Sequence, residues 1–451
     1  MTAGQNGGMR RMNGSLVRGV FVGGLSGLLF GFDTAVIAGT THGLAQTFAL
    51  TPAVLGLTVS SALWGTLVGA FAAGVPGDAF GARNCLRAIA LMYVLSGIGC
   101  FFAPNLATLI AARVLAGLAV GASSVLAPTY LAEIAPARAR GAMVGVFQLN
   151  IVAGILVAYL SNYAIGLMDL GAQEWRWKFG VTAAPSLVLA ALLFAIPNSP
   201  RWLAVKGRLD EARAVLSRTG HGDIAAELAS YARDTVAHAG RRVRLSWAEH
   251  ARPMTLAVLI AFFNQMSGIN AILYYLNDIF AAAGFGKVSS DLQSVIIGAT
   301  NLVFTLLALS VIDRIGRKTL LLVGSVGLII SLSGVALVQL SGAHQALLLP
   351  LLIAFIAAFA FSQGAVIWVY IAEVFPTAVR ARGQGLGSST HWLMDALIAT
   401  AFPVIAASSK GLPFVVFALA MVVQLVVVWK VFPETRGIAL EDMAASIGHK
   451  A

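Results

Sequence analysis

Charged residues are scarce in this sequence. Of its 451 residues, 11% are charged, whereas soluble globular chains carry about 25%. Cysteine is nearly absent as well, because Cys85 and Cys100 are its two cysteines, and their number and placement in or directly before one apolar segment exclude a disulfide framework. The chain is instead 58% apolar, with a mean hydropathy of +0.85. This composition excludes an ordinary soluble domain and predicts an all-α, polytopic membrane protein.

About twelve apolar segments are long enough to cross a bilayer as helices. They are 17–41, 53–76, 86–104, 107–132, 141–166, 178–196, 254–284, 292–312, 319–341, 346–372, 384–408 and 411–432. The first is too long for the apolar region of a signal peptide, so we expect it to be retained. We therefore predict twelve transmembrane helices.

The basic residues predict the orientation of these helices. With a cytoplasmic N-terminus, the outer loops hold Arg176, Lys178, Lys287 and Lys410, while nearly all the other 26 of the 30 Lys and Arg residues fall in inner segments. Such an excess on one side is the positive-inside pattern, and an even number of spans places both termini in the cytoplasm. Because the basic residues occupy short loops between spans, the strongly basic composition does not indicate nucleic-acid binding.

The sequence also repeats itself. The motif Tyr130–Pro136 recurs as Tyr370–Pro376, Asp78–Arg83 recurs loosely as Asp313–Lys318, and a proline-led motif follows the last span of each half. Two parallel repeats with a central site are typical of secondary transporters. The predicted segments are an N-terminal tail (1–16), a six-helix bundle (17–196), a cytoplasmic helical linker (197–252), a second six-helix bundle (253–432) and a C-terminal tail (433–451).

Two ionisable residues stand inside long apolar runs that are otherwise uncharged, Gly19–His42 and about Leu106–Ala127. Asp33 lies in the first span and Arg113 in the fourth. A charge in the bilayer interior costs several kcal/mol, about 2.5–3.5 on insertion scales, and usually marks an ion or substrate path. A buried carboxylate and a buried guanidinium in separate helices suggest proton coupling. A nearby Arg113 favours the ionised form of Asp33, and its withdrawal favours uptake of a proton.

Nine motifs resemble one family when taken in order. They are FGFDTAVI (30–37), Gly74 to Arg83, RVLAGLAVG (113–121), PTYLAEIAPARARG (128–141), PNSPRWL (197–203), NQMSGINAILYY (264–275), DRIGRK (313–318), WVYIAEVFP (368–376) and FPETRG (432–437). Together they resemble the sugar porter family of the major facilitator superfamily. The resemblance implies two pseudo-symmetric six-helix halves, alternating access and, in symporters, an aspartate at the position of Asp33.

The seventh span carries the side chains that a sugar site requires. A sugar presents many hydroxyl groups and no charge, so its site needs amide donors and aromatic faces. Asn264, Gln265, Asn270 and Tyr274 meet that need, on either side of a Ser-Gly pair that could loosen the helix. The family resemblance adds Phe30, Gln148, Asn301, Trp368 and Trp392. Taken one at a time, each could instead be an interhelical hydrogen bond or a packed aromatic.

His391 and Asp395 are unusual members of the predicted pocket. They lie one helical turn apart and so share a face, at positions where the family resemblance implies amides. They could pair with each other as a structural unit, or form a second titratable or substrate-contacting site. The resemblance also bears on the substrate, because Ile155 and Asn264 stand where the family's xylose–proton symporter carries glutamines. The isoleucine at position 155 resembles the residue that hexose facilitators carry there, which favours a hexose such as glucose as the substrate.

Charged residues at the inner ends of the spans predict a cytoplasmic gate. Its candidate residues are Arg83, Glu133, Arg140, Arg317, Glu373 and Arg380. Salt bridges between the two bundles would close the inner side and break when it opens, although these charges could simply anchor helix ends at lipid headgroups. Ala82 and Asn198 depart from the family pattern of arginine and glutamate, which predicts a thinner charge network in the first half.

These observations predict proton-coupled sugar uptake by alternating access, with Asp33 carrying the proton and Arg113 controlling its binding. The alternatives are a facilitative uniporter, in which Asp33 and Arg113 stay paired, and a sugar sensor of the same fold. No metal cluster, nucleophile or phosphate-binding loop points to an enzyme or to a cofactor. The expected partners are a sugar, a proton and the lipid bilayer, without nucleic acid, for a monomer in the cell (inner) membrane.

Overall fold

The computed structural model describes residues 14–136, 140–240, 245–376 and 379–436. Helices make up nearly all of them. The first half contains α1 (Gly14–Val36), α2 (Thr41–Phe48), α3 (Pro52–Ala72), α4 (Gly74–Phe80), α5 (Ala82–Phe101), α6 (Leu106–Ile134), α7 (Arg140–Gly166), α8 (Glu174–Gly180) and α9 (Ala183–Leu192). Three short helices follow: α10 (Pro200–Val205), α11 (Leu209–Thr219) and α12 (Ile224–Gly240).

The second half repeats the arrangement of long helices. It contains α13 (Trp247–Met266), α14 (Ile269–Tyr274), α15 (Leu276–Ala282), α16 (Lys287–Ile315), α17 (Arg317–Ser341), α18 (Leu348–Phe361), α19 (Gln363–Val374), α20 (Arg380–Ser408) and α21 (Leu412–Val431). Among the described residues, 11 helical segments are long and apolar enough to cross a membrane. The chain is therefore a polytopic helical membrane protein.

The sixth predicted span, 178–196, is not one continuous helix. It is divided into α8 and α9, and Pro185 lies in the first turn of α9. Proline lacks an amide hydrogen and its ring clashes with the carbonyl group four residues earlier, so a helix tends to break just before it. Neither piece alone has the length of a span, which accounts for the difference between the 11 segments and the twelve expected from sequence.

Glycine allows the helices within a half to pack closely. A Cβ atom at Gly31 of α1 would lie 1.8 Å from the carbonyl oxygen of Ile151 in α7, and one at Gly117 of α6 would lie 1.8 Å from that of Ala62 in α3. Small residues at such crossings are typical of packing inside membranes. Across the halves, α3 packs on α20 and α7 packs on α16, which are equivalent pairs in the two repeats.

The two ends of the bundle differ. Helices α10–α12 pack against one end, beside α1 and α6; we call this end the linker face and the other end the opposite face. The boundaries of the five predicted segments, and the cytoplasmic location of the linker face, remain predictions. Of the predicted tails, residues 1–13 and 437–451 lie outside the described residues.

Candidate functional site

Asp33 and Arg113 form a buried ion pair between α1 and α6. The Nη1 atom of Arg113 donates a hydrogen bond to Oδ1 of Asp33 at 2.8 Å, and the two residues are only 3–4% exposed. The guanidinium also lies over the ring of Phe179, 5.1 Å from its centroid, a favourable cation–π contact. The structure thus brings together the two charges that the sequence singled out from separate spans.

A small cavity connects this ion pair with the second half. Asp33, Thr66 and Arg113 line it from the first half, and Tyr274 and Trp392 line it from the second. Phe30, one turn before Asp33, packs against Trp392 with 5.7 Å between ring centroids. Residues predicted for proton coupling and residues predicted for sugar binding therefore share one cavity at the junction of the halves.

A broken helix positions the amides of the seventh span. Gly268, with φ +80°, interrupts the chain between α13 and α14, a conformation that glycine adopts readily. Because of this break, Gln265 at the end of α13 and Asn270 in α14 come together, with Asn270 Nδ2 3.4 Å from Gln265 Oε1. Tyr274 ends α14 and is buried.

His391 and Asp395 lie in this cluster but are not paired with each other. Nε2 of Gln265 lies 3.0 Å from a ring nitrogen of His391. Asp395 Oδ2 instead accepts hydrogen bonds from Asn270 Nδ2 at 2.8 Å and from the Tyr274 hydroxyl at 3.0 Å. The predicted His–Asp pair is therefore wrong for this structure, because the donors on α14 reach the carboxylate and Gln265 reaches the imidazole.

Aromatic rings surround the imidazole of His391. Its ring centroid lies 5.0 Å from that of Trp368 and 5.0 Å from that of Trp392. The cluster thus combines amide donors, aromatic faces and one carboxyl group, a combination suited to a neutral polyhydroxylated ligand. It agrees in composition with the pocket predicted from sequence.

Three predicted pocket residues are less closely tied to this cluster. Asn264 is buried beside Gln265, Gln148 lies half-buried on α7, and Asn301 lies buried on α16. Among the described residues, no resolved hydrogen bond joins the side chains of these three to the cluster. Their contact with a sugar remains a prediction.

The charged residues of the linker face pair differently from the expected gate. Arg317 Nη2 contacts Glu373 Oε1 at 2.8 Å, and both belong to the second half. They meet because α17 begins near the end of α19. This ion pair therefore lies within one bundle, whereas the sequence predicts salt bridges between the two bundles. Arg83 likewise donates to the carbonyl oxygen of Ile196 within the first half, at 3.1 Å.

The other predicted gate residues lie at the same face. Arg380 begins α20 and its Nε donates to the Phe375 carbonyl oxygen at 3.4 Å. Glu133 lies half-buried in the last turn of α6 and makes interactions of its own. Arg140 begins α7, but its side chain lies outside the described residues. A gating role for these groups stays a prediction.

A charge network at the opposite face was missed by sequence reasoning. Lys178 Nζ lies 2.7 Å from Glu174 Oε1 in its own helix and 3.2 Å from Asp291 Oδ2 in the second half. Lys287 of the second half contacts Glu174 in turn. Although burial opposes it, the hydrogen bonds from Lys178 and Lys287 hold the pKa of Glu174 below its ordinary value.

The sequence spacing indicates one contact of this network. Glu174 and Lys178 are four residues apart, so they face each other on a helix. Asp291 and Lys287 are more than a hundred residues further on, and no local pattern joins them to α8. In the described part of the chain, no group of three or more His, Cys, Asp and Glu residues is placed to hold a metal ion.

Comparisons with known proteins agree with this architecture. The chain is 30% identical to the D-xylose-proton symporter of Escherichia coli (strain K12), covering 93% of each chain. It is 33% identical to the arabinose-proton symporter of Bacillus subtilis (93% of this chain, 92% of the other) and 35% identical to the glucose transporter GlcP of Staphylococcus epidermidis (94% and 95%).

Solved structures give the same answer for the fold. The inward open conformation of the xylose transporter XylE from E. coli superposes with a TM-score of 0.85 at 29% identity, covering 96% of this chain and 99% of that chain. The major facilitator superfamily proton:xylose symporter XylE bound to 6-bromo-6-deoxy-D-glucose gives 0.80 at the same identity and coverage. The sequence profile described as "Sugar (and other) transporter" matches residues 19–446. The chain belongs to this sugar transporter family and is a transport protein with the major facilitator fold, not an enzyme.

Proposed function

We propose that this protein couples the uptake of a hexose such as glucose to the inward movement of a proton. The observation that carries the proposal is the buried Asp33–Arg113 pair, which lines the same cavity as Tyr274 and Trp392. A group that binds a proton and groups suited to a sugar then lie close enough for one conformational change to affect both. Proton-coupled relatives for xylose and arabinose support the proposal.

In this mechanism Asp33 carries the proton and Arg113 controls its binding. Arginine keeps its own proton, so its position is what changes during the cycle. While Arg113 contacts Asp33 it stabilises the carboxylate, and its withdrawal leaves a buried carboxyl group that is favoured in the neutral form. If the sugar-bound rearrangement moves α6 relative to α1, proton and sugar cross together.

The available driving force is sufficient for accumulation. A membrane potential of 100 mV contributes about 2.3 kcal/mol per charge, and one pH unit contributes about 1.4 kcal/mol. Together they would sustain a gradient of several hundred-fold for a neutral solute carried with one proton. We further propose an inner-membrane location with the linker face cytoplasmic, and function as a monomer.

Purified protein in proteoliposomes tests the proposal. Glucose, galactose, xylose and arabinose are each supplied as an outward-directed or inward-directed gradient, and internal pH is followed with a trapped dye. We expect an inward gradient of the transported hexose to acidify the interior. Sugar movement without any proton movement would favour the facilitative uniporter, and sugar binding without movement would favour the sensor.

A further inference from the structure

The charge network at the opposite face joins the two halves of the protein. Glu174 and Lys178 lie on α8 in the first half, and Asp291 and Lys287 lie on α16 in the second. Lys178 also donates to the carbonyl oxygen of Gly39 at 3.0 Å. Two carboxylates and two ammonium groups therefore alternate in one network, which we call the α8–α16 network.

The centre of this network is inaccessible to solvent. The side chains of Lys178 and Asp291 are 1% and 0% exposed, and that of Glu174 is 5% exposed. Lys287 closes the network from outside, with about half of its side chain exposed. Removing one partner of a buried ion pair is strongly destabilising because the other charge is left uncompensated.

Neighbouring contacts support Asp291 in this position. Asn277, on α15, donates to its other carboxylate oxygen, and Ser294 donates to Asn277 at 2.7 Å. On the first-half side, a Cβ atom at Gly166 would lie 2.7 Å from Asp291 Oδ2, so the end of α7 packs directly against the carboxylate. Asp291 is therefore fixed from both halves.

Other bonds between the halves lie toward the same end. The Tyr159 hydroxyl donates to the carbonyl oxygen of Leu273 at 3.0 Å, and the Thr400 hydroxyl donates to the side-chain hydroxyl oxygen of Ser60 at 2.7 Å. These neutral bonds can be replaced by water at small cost when the halves separate. The charges of the α8–α16 network cannot part so easily, because each loses its partner.

We propose that the α8–α16 network is an ionic lock that holds the opposite face closed. Lys178 is its central cation, because it contacts both Glu174 and Asp291. When this face opens, Lys178 must leave Asp291 and Lys287 must leave Glu174. The strength of these pairs then sets how readily the protein exposes its cavity on this side. This inference rests on the alternating access of the proposed function, but it does not depend on which sugar or ion is carried.

The electrostatics give a test that separates a lock from simple packing. Lys178→Met leaves Glu174 and Asp291 facing each other across the halves without the intervening cation. Lys178→Met/Asp291→Asn removes that repulsion and leaves the Glu174–Lys287 pair. A lock therefore predicts opening in the single variant and partial closure in the double variant, whereas lost packing would be at least as severe in the double variant.

Closure is measured by labelling a cysteine introduced at Ser60, which is buried where the halves meet. The full-length protein in detergent is treated with a membrane-impermeant maleimide, and the parent chain with buried Cys85 and Cys100 gives the background. We expect Lys178→Met to raise the labelling rate at position 60 at least tenfold and the double variant to reverse most of that increase. Lys287→Met, at a half-exposed position, should give a smaller increase and keeps the test available if Lys178→Met does not fold.

Unchanged labelling in the folded single variants would overturn the proposal, as would equal labelling in the single and double variants. These outcomes concern the opening of one face and would leave proton-coupled uptake untouched. Conversely, a uniporter would fail the proton-flux experiment while still showing the lock.

Discussion

The two halves of the protein contribute different chemistry to the centre. The first half contributes a compensated charge, since Arg113 contacts Asp33 at 2.8 Å. The second half contributes amides and aromatic rings, together with Asp395, whose carboxylate is held by the neutral donors Asn270 and Tyr274. The two halves thus present different groups to the centre, an ion pair in the first half and amides, aromatic rings and a carboxylate in the second.

The halves also differ at the linker face. Arg317 of the second half contacts Glu373, and Glu434 accepts hydrogen bonds from the backbone amides of Arg317 and Lys318. At the equivalent positions the first half carries Ala82 and Asn198. The second half therefore has a charged corner, made by Arg317, Glu373 and Glu434, and the first half lacks the residues that match Arg317 and Glu434.

The largest effect should come from removing the cation of the first half. Arg113→Gln leaves Asp33 buried without its partner, and we expect a loss of about 3–5 kcal/mol in the free energy of unfolding. Thermal or denaturant unfolding in detergent measures it. The double variant Asp33→Asn/Arg113→Gln has no unpaired charge and should recover much of the loss. If the free energy of unfolding of Arg113→Gln equalled that of the wild type, Arg113 would not stabilise the buried charge of Asp33.

Removing an amide from the second half should act on sugar binding rather than on stability. We expect Gln265→Ala to weaken apparent sugar affinity about tenfold, because a hydrogen bond contributes about 0.5–1.5 kcal/mol and 1.4 kcal/mol is a factor of ten. Equilibrium exchange in proteoliposomes measures this, and Trp368→Ala should behave similarly. Gln46→Ala, at an exposed position, is the matched control. Unchanged sugar affinity in Gln265→Ala would show that Gln265 does not take part in sugar binding.

The smallest effect is expected at the linker face. Glu434→Gln weakens the interaction of a carboxylate with the first amides of α17, which is worth about 0.3–1 kcal/mol at a helix N-terminus. Unfolding experiments should therefore show a small loss of stability. Asn198→Ala in the first half is the comparison, and we expect it to lose less. An equal loss in both would show that the charged corner is not special to the second half.

The sequence predicted the spans and the central charges well because both depend on local composition. Apolar length identifies a helix in lipid, and Asp33 and Arg113 stand out because each is the single charge in a long apolar run. Gln265, Asn270 and Tyr274 could be found together because one segment carries all three. The family resemblance then supplied the order of helices, which composition alone does not give.

Contacts between distant segments could not be predicted in the same way. The break between α8 and α9 depends on Pro185 within an otherwise apolar stretch, and hydropathy averaging does not detect it. The pairing of Lys178 with Asp291 depends on how the two halves meet. The predicted partner of His391 is also wrong. The sequence shows its spacing of four residues from Asp395, but it does not show that Gln265 approaches the imidazole in the folded protein.

The central claim is that Asp33 carries the proton, and one comparison tests it most directly. Wild-type protein and Asp33→Asn are reconstituted in proteoliposomes, and sugar exchange and sugar accumulation under an imposed pH gradient are measured side by side. We predict that Asp33→Asn retains exchange but loses accumulation. Equal accumulation by the variant and the wild type would contradict the account.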